Sequence, residues 1–157
     1  MTMKMTIQES LIHLAIGQAR LAANEGNYPF GAIVALEDGT ILARARNTQN
    51  SDRDPTAHAE INIIRALAKT HSQSDFAAFY LVCNAESCSM CFSAAIKAGI
   101  QRYIFGAPSE PHMDPYLTVA EVQKYSHQPL DVTTGVLAEE CRQQIQQTRR
   151  AQGKLAQ

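Results

Sequence analysis

Leu11, Ile12, Ala15, Ile16, Ala19 and Ala22 recur every three or four residues with polar side chains between them, so residues 8–24 predict a helix that lays one face on a core. Gly26 ends it. Two short apolar runs follow, 30–36 and 41–46, separated by Glu37-Asp38-Gly39-Thr40. The Asp-Gly pair favours a tight reversal and predicts an antiparallel hairpin. The polar stretch 47–55 reads as a loop, after which Thr56 is the expected N-cap of a helix reaching about residue 70, apolar at Ile61, Ile64, Leu67 and Ala68. Residues 79–83 are a continuous apolar run and predict a strand buried on both faces. Ser87 is expected to cap a helix over 88–98 that Gly99 terminates, and 102–105 reads as a fourth strand. Strand, helix, strand implies a parallel pair. Beyond a proline-containing loop at 108–115 come a short helix at 117–125, a fifth strand at 130–133 and a polar-faced helix from 137 to about 151. The predicted fold is α/β, a three-layer α/β/α sandwich around a mixed five-stranded sheet.

A length of 157 residues with 45% hydrophobic side chains suits one core, so residues 1–157 are expected to form a single domain. The formal net charge of −1 lacks the basic excess that phosphate backbones attract, which favours a small-molecule partner over nucleic acid. The apolar stretch from Leu11 to Ile16 is interrupted by His13 and followed by Arg20, so neither a signal peptide nor a membrane span is expected. Three of the four cysteines fall within nine positions, which resembles a metal cluster more than a disulfide framework and points to the reducing cytoplasm.

The chemistry concentrates in His58-Ala59-Glu60 and Cys88-Ser89-Met90-Cys91. Catalytic zinc takes three protein ligands and leaves a fourth position for water, whose pKa it lowers to about 7. His58, Cys88 and Cys91 make three. Glu60 is free to carry the proton from water to a ring nitrogen and then to departing ammonia, so the set describes hydrolytic deamination of a cyclic amidine. Cys88 and Cys91 lie on one helix face, but residues 58 and 60 are roughly 200° apart around a helix. They converge only beyond the N-terminal end, which predicts a metal capping two helices at once. A C-x-x-C pair alone is shared with redox and structural sites; the H-x-E element thirty residues upstream selects catalytic zinc. Two other readings compete. Cys83-x4-Cys88-x2-Cys91 with Cys141 has the opening spacing of a plant-type iron–sulfur protein, and a structural zinc site would recruit Cys83 or His71 as fourth ligand.

The stretch Asp54-Pro55-Thr56-Ala57-His58-Ala59-Glu60, with the two cysteines, Pro29-Phe30-Gly31-Ala32 and Asn47, resembles the zinc-dependent nucleobase and nucleoside deaminases of the cytidine deaminase superfamily. Its form is that of guanine deaminases and tRNA adenosine deaminases, and the resemblance runs from Ile7 to Arg150. It implies the cytidine deaminase-like fold, a Zn²⁺ held by His58, Cys88 and Cys91, and Glu60 as proton shuttle. It further implies that Asn47 and the Ala59 backbone contact the base, that Phe30 walls the pocket, and that the protein is a homodimer. The family usually has proline before the first cysteine; Ser87 in its place is expected to keep the site with a less rigid approach.

For the substrate, residues 135–141 running into a helix with Arg142, Arg149, Arg150 and Lys154 are similar to the end of tRNA adenosine deaminases. The loop after Gly106 lacks the Gly- and Lys-containing stretch of those enzymes. In guanine deaminases the segment after the fourth strand supplies an acidic reader of the base edge, and Asp114 stands in a comparable place, with Glu110 as a nearby alternative. The expectation is therefore an aminohydrolase acting on guanine or a related amino-purine, pterin or triazine, with adenosine-to-inosine deamination of tRNA as the second reading.

Overall fold

The computed structural model describes residues 3–153. In chain order the elements are α1 (Ile7–Asn24), β1 (Gly31–Ala35), β2 (Ile41–Arg46), α2 (Gln49–Asp52), α3 (Ala59–Ala68), β3 (Tyr80–Ala85), α4 (Ser89–Ala98), β4 (Arg102–Ala107), α5 (Val119–Lys124), β5 (Asp131–Thr133) and α6 (Ala138–Ala151), with a 3₁₀ segment at Gln73–Ala78 before β3. α1 starts where Thr6 and Glu9 close a reciprocal capping box. The order across the sheet is β2-β1-β3-β4-β5. β1 runs antiparallel to β2 and β3, whereas β3, β4 and β5 are mutually parallel through the crossovers α4 and α5.

Alternation along the strands sorts side chains into two cores. Ala32, Val34, Leu81, Cys83, Tyr103 and Phe105 face a cluster that includes Ile63, Phe92 and Val119 of α3, α4 and α5. Ile33, Ala35, Val82 and Ile104 face Ile12, Ile16, Cys141 and Ile145 of α1 and α6. These are the three expected layers of a mixed sheet. Two glycines set how closely the outer helices approach: a Cβ on Gly31 would collide with the Ala15 carbonyl oxygen, and one on Gly106 would lie 2.5 Å from both the Asn84 carbonyl oxygen and Cys141 Sγ. No helix among the described residues is long and apolar enough to cross a membrane.

The structure corrects the expected caps. α3 begins at Ala59 with His58 as N-cap, while the Thr56 hydroxyl turns back to Asp54 Oδ1 at 2.7 Å. Likewise Cys88, not Ser87, caps α4. β3 and β4 each run two residues past their apolar stretches, because pairing continues through Cys83↔Phe105 and Ala85↔Ala107. α2 lies inside the stretch read as loop. Asn27, fully buried, explains it: its Oδ1 accepts from the backbone N–H groups of Asn50 and Ser51, both at 3.0 Å, a remote side chain doing the work of a cap.

Candidate active site

The start of β1, the end of β2 and the carboxyl ends of β3 and β4 meet at one end of the sheet, since Ala32 pairs with both Ala45 and Cys83. That end, where antiparallel pairing gives way to parallel, is where open α/β sheets present ligand clefts. A cavity of about 630 Å³ opens there. His58, Glu60 and Cys88 line it together with Phe30, Asn47 and Asn84.

His58 is the N-cap of α3 and Cys88 the N-cap of α4, so the two helix starts meet as the spacing predicted. His58 Nδ1 stands 3.6 Å from Cys88 Sγ and 3.4 Å from Cys91 Sγ, and the donor atoms of all three lie within 4.8 Å of one another. A turn delivers the histidine: the Asp54 carboxylate accepts from the Thr56 N–H at 2.8 Å, and the His58 N–H donates to the Thr56 carbonyl at 2.8 Å. Cys91, one turn into α4, is buried.

The electrostatics match a thiolate site. A hydrogen bond from Cys91 holds the Cys88 thiol down to about 4 against the effect of burial, with the His58 imidazole adding to the shift, and the same hydrogen bond and burial push Cys91 up. Burial alone would lower the imidazole of His58, but its hydrogen bond with Cys88 and the nearby Glu60 charge raise it. Burial also raises the Glu60 carboxyl, helped by the Cys88 thiolate and opposed by His58.

One nitrogen and two sulfurs are the borderline-soft donors that zinc favours, and among the described residues no fourth His, Cys, Asp or Glu joins them. The set fits zinc with an open corner, and Glu60 is left out of it. Cys83 lies outside this group, and Cys141 packs in the core on the other side of the sheet, so four thiolates do not gather for an iron–sulfur cluster. His71 is engaged elsewhere, edge-on to Phe79 with ring centroids 5.4 Å apart and bonded to Thr70.

Of the residues named for base contact, Phe30 and Asn47 line the cavity. Asn47 is buried with both ends of its carboxamide on Gln49, accepting its N–H at 3.0 Å and donating to its Oε1 at 2.7 Å. Ala59 is buried and does not line the cavity, yet as first residue of α3 its N–H has no acceptor within the helix. Asp114 is exposed and lies outside the lining, to which the 108–113 segment contributes Glu110 and His112 instead. That segment is anchored by Glu86, whose carboxylate accepts from the Ser109 N–H and hydroxyl at 3.0 Å and from the Thr134 hydroxyl at 2.8 Å.

Asn84 was not foreseen. Fully buried at the end of β3, it accepts from the Gly31 N–H at 3.0 Å and donates to the Pro29 carbonyl at 3.1 Å and to Gln144 Oε1 at 3.0 Å. It thus fixes the segment carrying Phe30 against α6. A polar residue closing an apolar strand was its only signal. From α6, Arg149 lies over the Phe30 ring at 5.9 Å and reaches His112 Nε2 at 3.3 Å.

The sequence signature of the cytidine and deoxycytidylate deaminase zinc-binding region matches residues 5–107, which contain every residue of the candidate metal site. The chain belongs to that family. This deaminase is 30% identical over 139 residues to the tRNA-specific adenosine deaminase of Bacillus subtilis strain 168, covering 87% of this chain and 85% of that one. A structure from a study of A-to-I editing by tRNA:A34 deaminases superposes with a TM-score of 0.72 at 29% identity, over 86% of this chain and 98% of the other. The guanine deaminase of Bacillus subtilis superposes with a TM-score of 0.58 at 27% identity over 77% of each. The zinc-dependent deaminase fold and reaction class follow from this membership; the two relatives' different substrates leave the base to the chemistry of the cavity.

Proposed function

We propose that this deaminase removes the exocyclic amino group of a free amino-substituted heterocycle, guanine or a close analogue. Glu110 carries the choice. Glu110 lines the cavity, and its side chain is engaged in no hydrogen bond or ion pair among the described residues. An unpaired carboxylate accepts N–H groups, and guanine offers two adjacent donors, at N1 and the 2-amino group, where adenine offers an acceptor at N1. The sequence reading favoured Asp114 for this role; Glu110 replaces it.

Held by His58, Cys88 and Cys91, zinc would supply Lewis-acid activation of water at neutral pH. Glu60 is placed to carry two protons in turn, one from the attacking water to the ring nitrogen and one from the new carbon-bound hydroxyl to the leaving amine, and its burial favours the protonated state it must visit. Phe30 gives the ring a flat wall. Asn47 keeps a second N–H and a second lone pair beyond those spent on Gln49, enough to hold a base edge without breaking its turn. The N–H of Ala59 points from the helix start as a further donor for the substrate. We place the protein in the cytoplasm as a single-domain homodimer, in keeping with the family resemblance and with four free cysteines that need a reducing compartment.

The test is ammonia release by zinc-loaded protein from a panel of free bases. Guanine should be turned over, and Glu110→Gln should raise KM more than it lowers kcat. The second reading, adenosine deamination in tRNA, draws on the 30% identity to the Bacillus subtilis enzyme and on Arg142, Arg149 and Arg150 at the cavity mouth. Inosine formation in a tRNA anticodon stem-loop, with affinity falling steeply as salt rises and no turnover of free bases, would establish it instead.

A further inference from the structure

Asn47 bonds Gln49 through both ends of its carboxamide, and the pairing settles which way each side chain faces. The Gln49 backbone N–H can only donate, so the atom 3.0 Å from it is Asn47 Oδ1, and the other end of that amide is Nδ2. Nδ2 donates in turn to the Gln49 side chain at 2.7 Å, so the atom it meets is Oε1. Turning the Gln49 amide over would set donor against donor. Gln49 Nε2 therefore keeps both its N–H groups; it has no partner among the described residues, and Gln49 lines the cavity. The backbone beneath it is held as well. Asn27, fully buried, accepts from the Asn50 and Ser51 N–H groups and donates to the Ser51 hydroxyl at 2.8 Å, which fixes the turn that Gln49 begins.

We propose that Gln49 is a specificity-determining residue: its Nε2, beside the second N–H of Asn47, donates to the acceptor edge of the heterocycle and selects rings with a 6-oxo group over rings with a 6-amino group. Guanine presents N7 and O6 as adjacent acceptors, whereas a 6-aminopurine sets an N–H donor beside N7. Two donors in a row suit the first and oppose the second. The locked amide matters here, because a free glutamine could present either end and would read neither. Gln49 follows the end of β2 and Glu110 the end of β4, strand ends about 14 Å apart with β1 and β3 between them. A ring held between the two meets donors on one flank and a carboxylate on the other. The inference deepens the reading of guanine or a close analogue as substrate and rests on it.

The experiment compares guanine with 2,6-diaminopurine, its 6-amino counterpart, on zinc-loaded protein. Gln49→Glu keeps an oxygen for Asn47 Nδ2 and exchanges only the unpartnered donor for an acceptor. It should raise KM for guanine and lower it for 2,6-diaminopurine, moving the ratio of their kcat/KM values by about 10–100-fold, the discrimination of one base-edge contact. Because the contact serves bound substrate and transition state alike, the change should fall on KM rather than kcat. Gln49→Leu, which offers neither end of the amide, should weaken guanine without favouring 2,6-diaminopurine. Hypoxanthine carries N7 and O6 but no amino group to lose, and calorimetry should show it binding about tenfold more weakly to Gln49→Glu, a readout that needs no turnover. Zinc per chain and Tm should match the parent. If the parent deaminates guanine and the ratio does not move in Gln49→Glu, the role of Gln49 alone is overturned, as it is by a loss that merely follows zinc content or Tm. If the parent deaminates neither base, the guanine reading falls and this inference with it.

Discussion

Truncating Asn84 removes a fully buried side chain that ties the cavity wall to α6. Asn84→Ala deprives three groups of their partner at once: the Gly31 N–H, the Pro29 carbonyl and Gln144 Oε1. A buried polar group left unsatisfied costs about 1–3 kcal/mol. Asn84 borders the cavity, so water can reach the vacated space and relieve part of the loss, which selects the lower end and gives about 3 kcal/mol for the three together. That is a large share of the roughly 5–15 kcal/mol that holds an ordinary domain folded. Asn84→Asp separates the contributions. It keeps the acceptor for Gly31, but an ionised carboxylate would face two oxygens where the amide donated. The folded state should therefore hold that carboxyl protonated, and stability should fall as pH rises above the ordinary Asp value of about 3.9. Urea unfolding at fixed saturating zinc, from pH 4 to 8, reads both variants. Asn84→Ala within about 1 kcal/mol of the parent, or Asn84→Asp with no pH dependence beyond the parent's own, would refute the reasoning.

Other perturbations test the site directly. Glu60→Gln keeps the shape of the side chain and all three metal donors, so zinc should stay bound while kcat falls about 10²–10⁴-fold, as steady-state ammonia release and metal analysis would show. Gly106→Ala forces a Cβ to 2.5 Å from the Asn84 carbonyl and from Cys141 and should destabilise by about 1–3 kcal/mol in a urea titration. Asp54→Ala loosens the turn that delivers His58 and should weaken zinc binding about tenfold in a chelator competition. The Thr56 hydroxyl and N–H hold the Asp54 carboxyl below its usual value, so this support is complete above the ordinary carboxylate range and disappears as pH falls through the lowered value.

Local periodicity made the architecture readable, because each strand and long helix announces itself within its own residues. The hairpin at Asp38-Gly39, the apolar run of β3 and the H-x-E and C-x-x-C elements all fall into this class. What escaped depends on partners far away in the chain. α2 forms because Asn27, more than twenty residues before it, supplies acceptors to its first N–H groups, and no window around residues 49–52 contains that information. Asn84 is the same case over a longer span, reaching back to Pro29 and forward to Gln144. The misassigned caps have a different cause. Thr56 and Ser87 are good capping residues by type, but the candidate ligands His58 and Cys88 take the N-cap positions, the Thr56 hydroxyl bonds Asp54 and the Ser87 hydroxyl has no partner among the described residues.

That exchange links the zinc chemistry to the sheet. A histidine or thiolate at an N-cap projects beyond the helix, toward the N–H groups and positive dipole end that favour an anionic centre. Both helices start at the same end of the sheet because α4 leaves the carboxyl end of β3 while α3 follows the end of β2, which runs parallel to β3 with the antiparallel β1 between them. The mixed sheet is therefore what makes the site. Were β1 parallel to β3, its hairpin partner β2 would run against β3, so α3 and α4 would start at opposite ends of the sheet and the two halves of the candidate metal site would separate. The 5-residue strand β1, buried along its whole length, is where that orientation is fixed. Its first residue is the glycine against which α1 packs and to which Asn84 bonds.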